Sequence, residues 1–346
     1  MSSSIDDNSL FYLEDSMLES FKKGVQKMNG TNITLVNSTN EEKLIDFRNI
    51  NVSNVTNMKS MFALTIFNQP IEKWNVSKVT NMESMFENAF DFNQDIEKWN
   101  VSNVTNMEGM FGGATYFDKP IGKWNVSNVM DMSRMFSSAS DFDQPIGSWN
   151  VSNVTNMQSM FDEAFSFDQP IGEWNVSNVI NMKYMFTDAK LFNKPIGNWN
   201  VSNVTNMECM FKGALKFNQD ISQWDVSKVK DIDKIDFPKP LKPKVADSVY
   251  QWYLDEKITK ENAENIFGDA TKLETYGKQK SSHGGANSTR RAKRVNKLKN
   301  AGKTKNATKN GGAKSTRRAK RASKSKSASK SKSANQTRSA KRAKSV

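Results

Sequence analysis

Tryptophan recurs every 25 residues: Trp74, Trp99, Trp124, Trp149, Trp174, Trp199 and Trp224 form one series, and only Trp252 stands outside it. A fixed period of this length constrains the chain more than any single motif. Each unit is one supersecondary element too small to bury its apolar face alone, so units must stack and complete one another's core. Written from Asn51, a unit reads N-V-S-N/K-V-x-N/D-M-x-x-M-F, a variable stretch, then F-N/D-Q/K-P/D-I-x-x-W; the first unit is one residue short, between Phe62 and Phe67. The Met pairs supply 14 of 18 methionines and the two Phe positions 14 of 21 phenylalanines, which assigns both residue types to the repeating core. At helical spacing beside Phe, the Met pairs read as packing and not as soft-metal ligands.

In the third unit Val104, Met107, Met110, Phe111 and Ala114 fall on one face of a short helix. Thr105 with Glu108 forms a capping-box pattern that places the helix start, repeated at Thr80/Glu83, Thr155/Gln158 and Thr205/Glu208. A turn rich in Asn, Asp, Gln and Pro follows, then an extended piece around Ile121, Trp124 and Val126. The expected fold class is an α/β repeat solenoid, with a short strand, a turn and a short helix per unit. It spans 49–237, seven full units plus a degenerate eighth in which Ile232 and Ile235 stand where the Met pair would be. Asn100, Asn103, Asn106 and their equivalents are expected to stack in columns whose amides satisfy backbone groups at the bends.

The W-N-V-S-N-V-T-N-M-x-x-M-F unit resembles the repeat of the BspA-like leucine-rich repeat surface proteins, the mycoplasma and Listeria lipoprotein type that also occurs in protists and large DNA viruses. The likeness covers residues 44–237. It implies a leucine-rich-repeat-like solenoid used for binding or adhesion, with no catalytic residues to carry over. Two departures stand out: the chain shows neither a signal peptide nor a lipobox, and a basic tail is foreign to a surface adhesin.

Charge divides by position. Residues 1–276 hold 26 Lys/Arg and all 37 Asp/Glu, net −11, whereas residues 277–346 hold 24 Lys/Arg and no acid, net +24. Residues 1–48 read as an N-terminal cap, with Leu10, Leu13, Met17, Phe21, Val25 and Met28 at helical spacing. Residues 238–276 read as a Pro-rich linker and two short helices, Val245–Lys257 and Thr259–Phe267. From Gly277 the large apolar residues are only Val295, Leu298 and Val346, too few for a core, so 277–346 is expected to be a disordered tail. Ser-Thr-Arg-Arg-Ala-Lys-Arg occurs there twice. Its cations, Arg290, Arg291, Lys293 and Arg294, then Arg317, Arg318, Lys320 and Arg321, form a candidate polyanion-binding or nuclear import signal. Without aromatics to stack on bases, binding to nucleic acid would be to phosphate and independent of sequence.

One Cys and one His, His283 near the tail's start, exclude a disulfide framework, a Cys/His zinc site and histidine-dependent catalysis in the body. No cofactor motif and no apolar run long enough to span a membrane is present. The expected activity is non-enzymatic: a monomeric scaffold holds an unidentified protein through variable repeat positions. The candidate partner surface comprises Glu108, Gly109, Arg134, Gln158, Ser159, Lys183 and Tyr184. Cys209 occupies the same variable position as Gly109 and has no activating neighbour in sequence. Acid pairs such as Asp162/Glu163 read as solvated faces. The expected compartment is intracellular, with the nucleus as one destination; the alternative, following the family, is a cell-surface or virion adhesin.

Overall fold

The computed structural model describes residues 11–13, 15–26, 32–36, 42–46 and 50–283, all within one compact unit. Ahead of the repeats lie β1 (Phe11–Tyr12), α1 (Leu18–Gln26), β2 (Asn32–Val36), β3 (Glu42–Asp46) and β4 (Ile50–Asn51). After them come α2 (Pro243–Leu254), α3 (Lys260–Phe267) and α4 (Ala270–His283). β2 and β3 pair antiparallel, Asn32 opposite Asp46, while β1 runs parallel to β4 with Phe11 opposite Ile50.

The repeats themselves are made of turns, which corrects the expected strand and helix. In the third unit the Met110 N–H bonds the Met107 carbonyl at 3.2 Å, Gly112 that of Gly109 at 2.9 Å and Ala114 that of Phe111 at 3.0 Å, so i→i+3 turns overlap. The N–H groups between them leave the coil. Met107, Gly109, Phe111 and Gly113 donate to carbonyls of Asp131, Ser133, Met135 and Ser137 in the next coil at 3.0, 2.8, 2.9 and 2.6 Å. Left-handed residues four apart allow this alternation: Gly109 (φ 61) and Gly113 (φ 71), then Arg134 and Ser138, Ser159 and Glu163, with φ between 53 and 57. A helix would direct each N–H along its own axis and measure about 10–12 Å across. The phenyl centroids of successive coils, from Phe62–Phe86 to Phe186–Phe211, are only 5.3 to 5.9 Å apart. Overlapping turns still bring i and i+3 to one side, so Val104, Met107, Met110, Phe111 and Ala114 all point inward and are fully buried.

The capping box fails at the same point. Asn106 Oδ1 accepts the Glu108 N–H at 2.9 Å, and Thr105 gives its N–H (2.9 Å) and Oγ1 (3.2 Å) to the Thr80 carbonyl of the preceding coil. The piece around Ile121 and Val126 is two further turns, closed by Trp124 N–H on Ile121 and Val129 N–H on Val126. Strand pairing shrinks to single parallel bridges, Asn57 with Asn81, Asn81 with Asn106, and so on to Asn206.

Polar columns hold the bends. Asn100 Oδ1 accepts the Ser102 N–H at 3.2 Å within its coil, and Asn103 Nδ2 donates to the Ser77 carbonyl of the previous coil at 2.7 Å. A further column was not foreseen: Asp118 N–H bonds Asn93 Oδ1, Asp143 N–H bonds Asp118 Oδ1, and Asp168 N–H bonds Asp143 Oδ1, at 3.1, 3.0 and 2.8 Å. From Trp99 to Trp224 each indole N–H also reaches back one coil, as Trp149 Nε1 does to the Ile121 carbonyl at 3.1 Å.

Both ends imitate a missing coil. At the start, the Asp15 carboxylate accepts the N–H and Oγ1 of Thr56 and the N–H of Asn57, taking the place of a preceding Thr carbonyl. At the far end Ile235 and Phe237 continue the core, Phe237 stacking on Phe211 at 5.2 Å. α2 then supplies the rest. Trp252 Nε1 donates to the Ile221 carbonyl at 3.1 Å, as Trp224 Nε1 does to Ile196 at 3.0 Å, and Lys244 N–H caps Asn218 Oδ1 at 3.0 Å. α3 starts at a Thr259/Asn262 capping box and stops at left-handed Gly268 (φ 104). Three helices, and not two, follow the repeats. α4 runs through the first seven residues of the segment expected to be disordered, 277–283, because Tyr276 and Leu273 pack it on the neighbouring helices; residues 284–346 lie outside the described part.

Because Trp149 and Phe161 sit in the stack with neighbours on both sides, Trp149→Ala or Phe161→Ala should cost about 3–5 kcal/mol. Gln158→Ala, at a half-buried polar site, should cost under about 1 kcal/mol. Denaturant melts of the full chain check this; equal small shifts for all three would contradict a stacked core.

Candidate binding surfaces

The expected partner residues fall on one column, but coil-to-coil contacts already engage most of them. Arg134 pairs with Glu108 at 2.6 Å and Lys183 with Glu208 at 2.8 Å, repeating the Lys59–Glu83 pair at 2.7 Å. The Lys183 ammonium also lies 4.7 Å from the centre of the Tyr184 ring. Gln158 Oε1 accepts from Asn181 Nδ2 at 3.0 Å. Gly109 and Ser159 do not belong to a surface: both are buried. Their left-handed position turns them over the preceding coil, and a Cβ on Gly109 would meet Ser84 Oγ at 3.2 Å. Cys209 shares that position (φ 53) and is free and partly buried. Burial, then the charge of Asp236, pushes its thiol up, the opposite of nucleophile activation.

A different face is exposed and apolar. One of the two residues before each second Phe of the repeat is a large apolar side chain in six of the seven units: Ile66, Phe90, Tyr116, Phe165, Leu191 and Leu215. Phe90, Tyr116, Leu191 and Leu215 are 53, 54, 48 and 56 % exposed, which rules them out as core. The backbone lines them up, since Tyr116 N–H bonds the Phe90 carbonyl and Lys216 N–H bonds that of Lys190. Only the fourth unit interrupts the ridge, with Ser140 and Asp141, and the Lys190 ammonium covers the Phe165 ring at 4.2 Å. The ridge escapes the 25-residue period because the exposed residue alternates between two adjacent positions.

Of this acid pair Glu163 is exposed, as expected, whereas Asp162 is partly buried. Burial, reinforced by the charges of Glu163 and Asp188, pushes the Asp162 carboxyl up to about 6 despite a hydrogen bond from Ser159. A carboxyl raised on folding holds its proton better in the native state, so its contribution to stability is present below about pH 4 and lost as pH rises through about 6. Asp162→Asn should therefore leave the melting temperature near wild type at pH 4 and raise it at pH 8. A pH-independent difference between the two proteins would refute this.

The tail cations Arg290, Arg291, Lys293, Arg294, Arg317, Arg318, Lys320 and Arg321 lie outside the described residues. Among the described residues no group of three or more His, Cys, Asp or Glu side chains is placed to hold a metal ion, and no helix is long and apolar enough to cross a membrane.

The turns, bridges and columns define a tandem-repeat protein. The chain belongs to the family described as Mycoplasma protein of unknown function, DUF285, whose model matches residues 18–149, 132–252 and 169–279. No curated protein and no solved structure matches it.

Proposed function

We propose that the protein is a non-enzymatic scaffold, a leucine-rich-repeat-like solenoid of the BspA-like type that holds a protein partner along the ridge Phe90, Tyr116, Leu191 and Leu215. The ridge carries the reading. Aligned apolar side chains half in water on a folded protein mark a surface that another molecule covers. The column Glu108, Arg134, Gln158, Lys183 and Tyr184 is a lesser contact, because its charges answer one another between coils and offer little to a partner. The basic tail adds sequence-independent affinity for nucleic acid or another polyanion, which favours an intracellular role with the nucleus as one destination. The second reading, a surface or virion adhesin, draws on the likeness of the unit to BspA-like repeats.

The test is a pull-down from native extract with the full chain, a Phe90→Ser/Leu191→Ser/Leu215→Ser variant and a chain lacking 284–346. The ridge variant should keep its stability within about 1 kcal/mol and lose the retained protein, while the shortened chain keeps it. A partner that follows the tail and ignores the ridge would sink the proposal. Fractionation of the source cells separates the two readings.

For the tail, log affinity for duplex DNA should fall with log salt at roughly −0.9 per phosphate engaged. Changing Arg290, Arg291, Lys293 and Arg294 to Ala should flatten that slope for every sequence alike. Gel shifts at several salt concentrations measure it, and a salt-insensitive preference for one sequence would overturn it.

A further inference from the structure

The C-terminal helices enclose a second kind of site, distinct from the ridge. Between the Pro-rich segment ahead of α2 and the outer face of α4 lies a cavity of about 390 Å³, within the roughly 300–1,000 Å³ span of small-molecule pockets. Its walls are mainly apolar, from Pro240, Leu241, Ala246, Phe267 and the ring of Tyr276. The Tyr276 hydroxyl is turned to Asp247 Oδ1 at 2.5 Å, which leaves the ring as wall.

Two lysines, Lys239 and Lys272, are among the lining residues. Lys239 Nζ donates to the Ile266 carbonyl at the end of α3, and no carboxylate among the described residues forms an ion pair with it. Lys272 pairs loosely with Asp269 at 3.4 Å, and its Nζ lies over Gly268, 3.1 Å from where a Cβ would stand. Burial first, with the charge of Lys272 adding to it and that of Asp236 opposing, holds the Lys239 ammonium below the usual lysine range. A cation held against apolar walls is disfavoured by loss of water, and a bound anion would relieve that cost.

We propose that this cavity binds a small apolar carboxylate, its chain against Leu241 and Phe267 and its head between Lys239 and Lys272. The two ammoniums call for an anionic head, and the apolar walls favour a monoanion over a dianionic phosphate, whose desolvation costs more. The chain's own segment 284–346 is a poor occupant, since it carries 22 Lys/Arg and no acid and would bring like charge to the lysines.

Titration calorimetry of the full chain with octanoate, octanol and acetate tests the assignment. Octanoate should bind saturably at one site, with octanol and acetate at least about tenfold weaker, since each lacks half of the recognition. Lys239→Met keeps the aliphatic stem and should weaken octanoate about tenfold, and Lys272→Met should do the same while leaving the Lys239–Ile266 hydrogen bond in place. Thr275→Trp, which fills the cavity from α4, should abolish binding. Equal affinity for acetate and octanoate would assign the effect to charge alone and overturn the proposal, as would octanoate binding that survives Lys272→Met and Thr275→Trp unchanged.

Discussion

Every second N–H between Met107 and Gly113 leaves its own coil for a carbonyl of the next, and this sets a spacing to which all side chains must conform. Identical positions then stand one above another at close range, so each residue type is judged by whether it tolerates its own neighbour. Phenyl rings do, and they stack nearly parallel, Phe111 on Phe136 at 5.8 Å and 5°. Side-chain amides do as well, because each carries donors and an acceptor. Carboxylates do so only where something answers their charge: Asp118 and Asp143 each accept an N–H of the next coil, Glu83 and Glu108 pair with Lys59 and Arg134, and at Asp162, beside Glu163 and Asp188, the carboxyl resists ionisation.

The same spacing makes the ends costly. An open coil face would present unpaired N–H and carbonyl groups as a template for another chain. Asp15 answers the first face with a side-chain carboxylate where a backbone carbonyl would stand. Burial works against that carboxylate, but hydrogen bonds from Thr56 and Asn57 prevail and hold it below the usual range. The last face is answered by a change of secondary structure, for α2 satisfies its own N–H groups and lends the stack hydrogen bonds through Trp252, Lys244 and the Ser248 hydroxyl.

The stacking of units and the identity of the core were legible, because a period of 25 and an inward residue set survive any local geometry. The secondary structure within a unit was not. A chain of i→i+3 turns repeats its apolar side nearly as a helix does, and what distinguishes them is where alternate N–H groups go, which a side-chain pattern does not record. The left-handed residues were a usable signal: Gly109, Gly113 and Gly213 occupy two recurring positions where φ is positive. Trp252 was the other, since the tryptophan that breaks the period rejoins the column across 28 residues instead of 25. The column expected to meet a partner was legible only as a set of variable positions. Variability marked Glu108, Arg134 and Lys183, but variability also marks a position whose side chain is buried by a left-handed backbone, as at Gly109 and Ser159.

That left-handed position shows how the stack frees its surface. An L residue there costs about 1–2 kcal/mol, yet Ser84, Arg134, Tyr184 and Cys209 all adopt it, with φ between 53 and 59. Their N–H groups are tied to the next coil at 2.7 to 2.9 Å, so backbone bonding determines φ and the side chain has little say in it. With conformation held by the main chain and packing held by the Met, Phe and Trp columns, outward positions can exchange charge for apolar surface without altering the backbone bonds between coils. An apolar ridge interrupted by Asp141, and an acidic middle followed by Lys190, Lys212 and Lys216, are what such freedom permits: surface chemistry that differs from coil to coil on a backbone that does not.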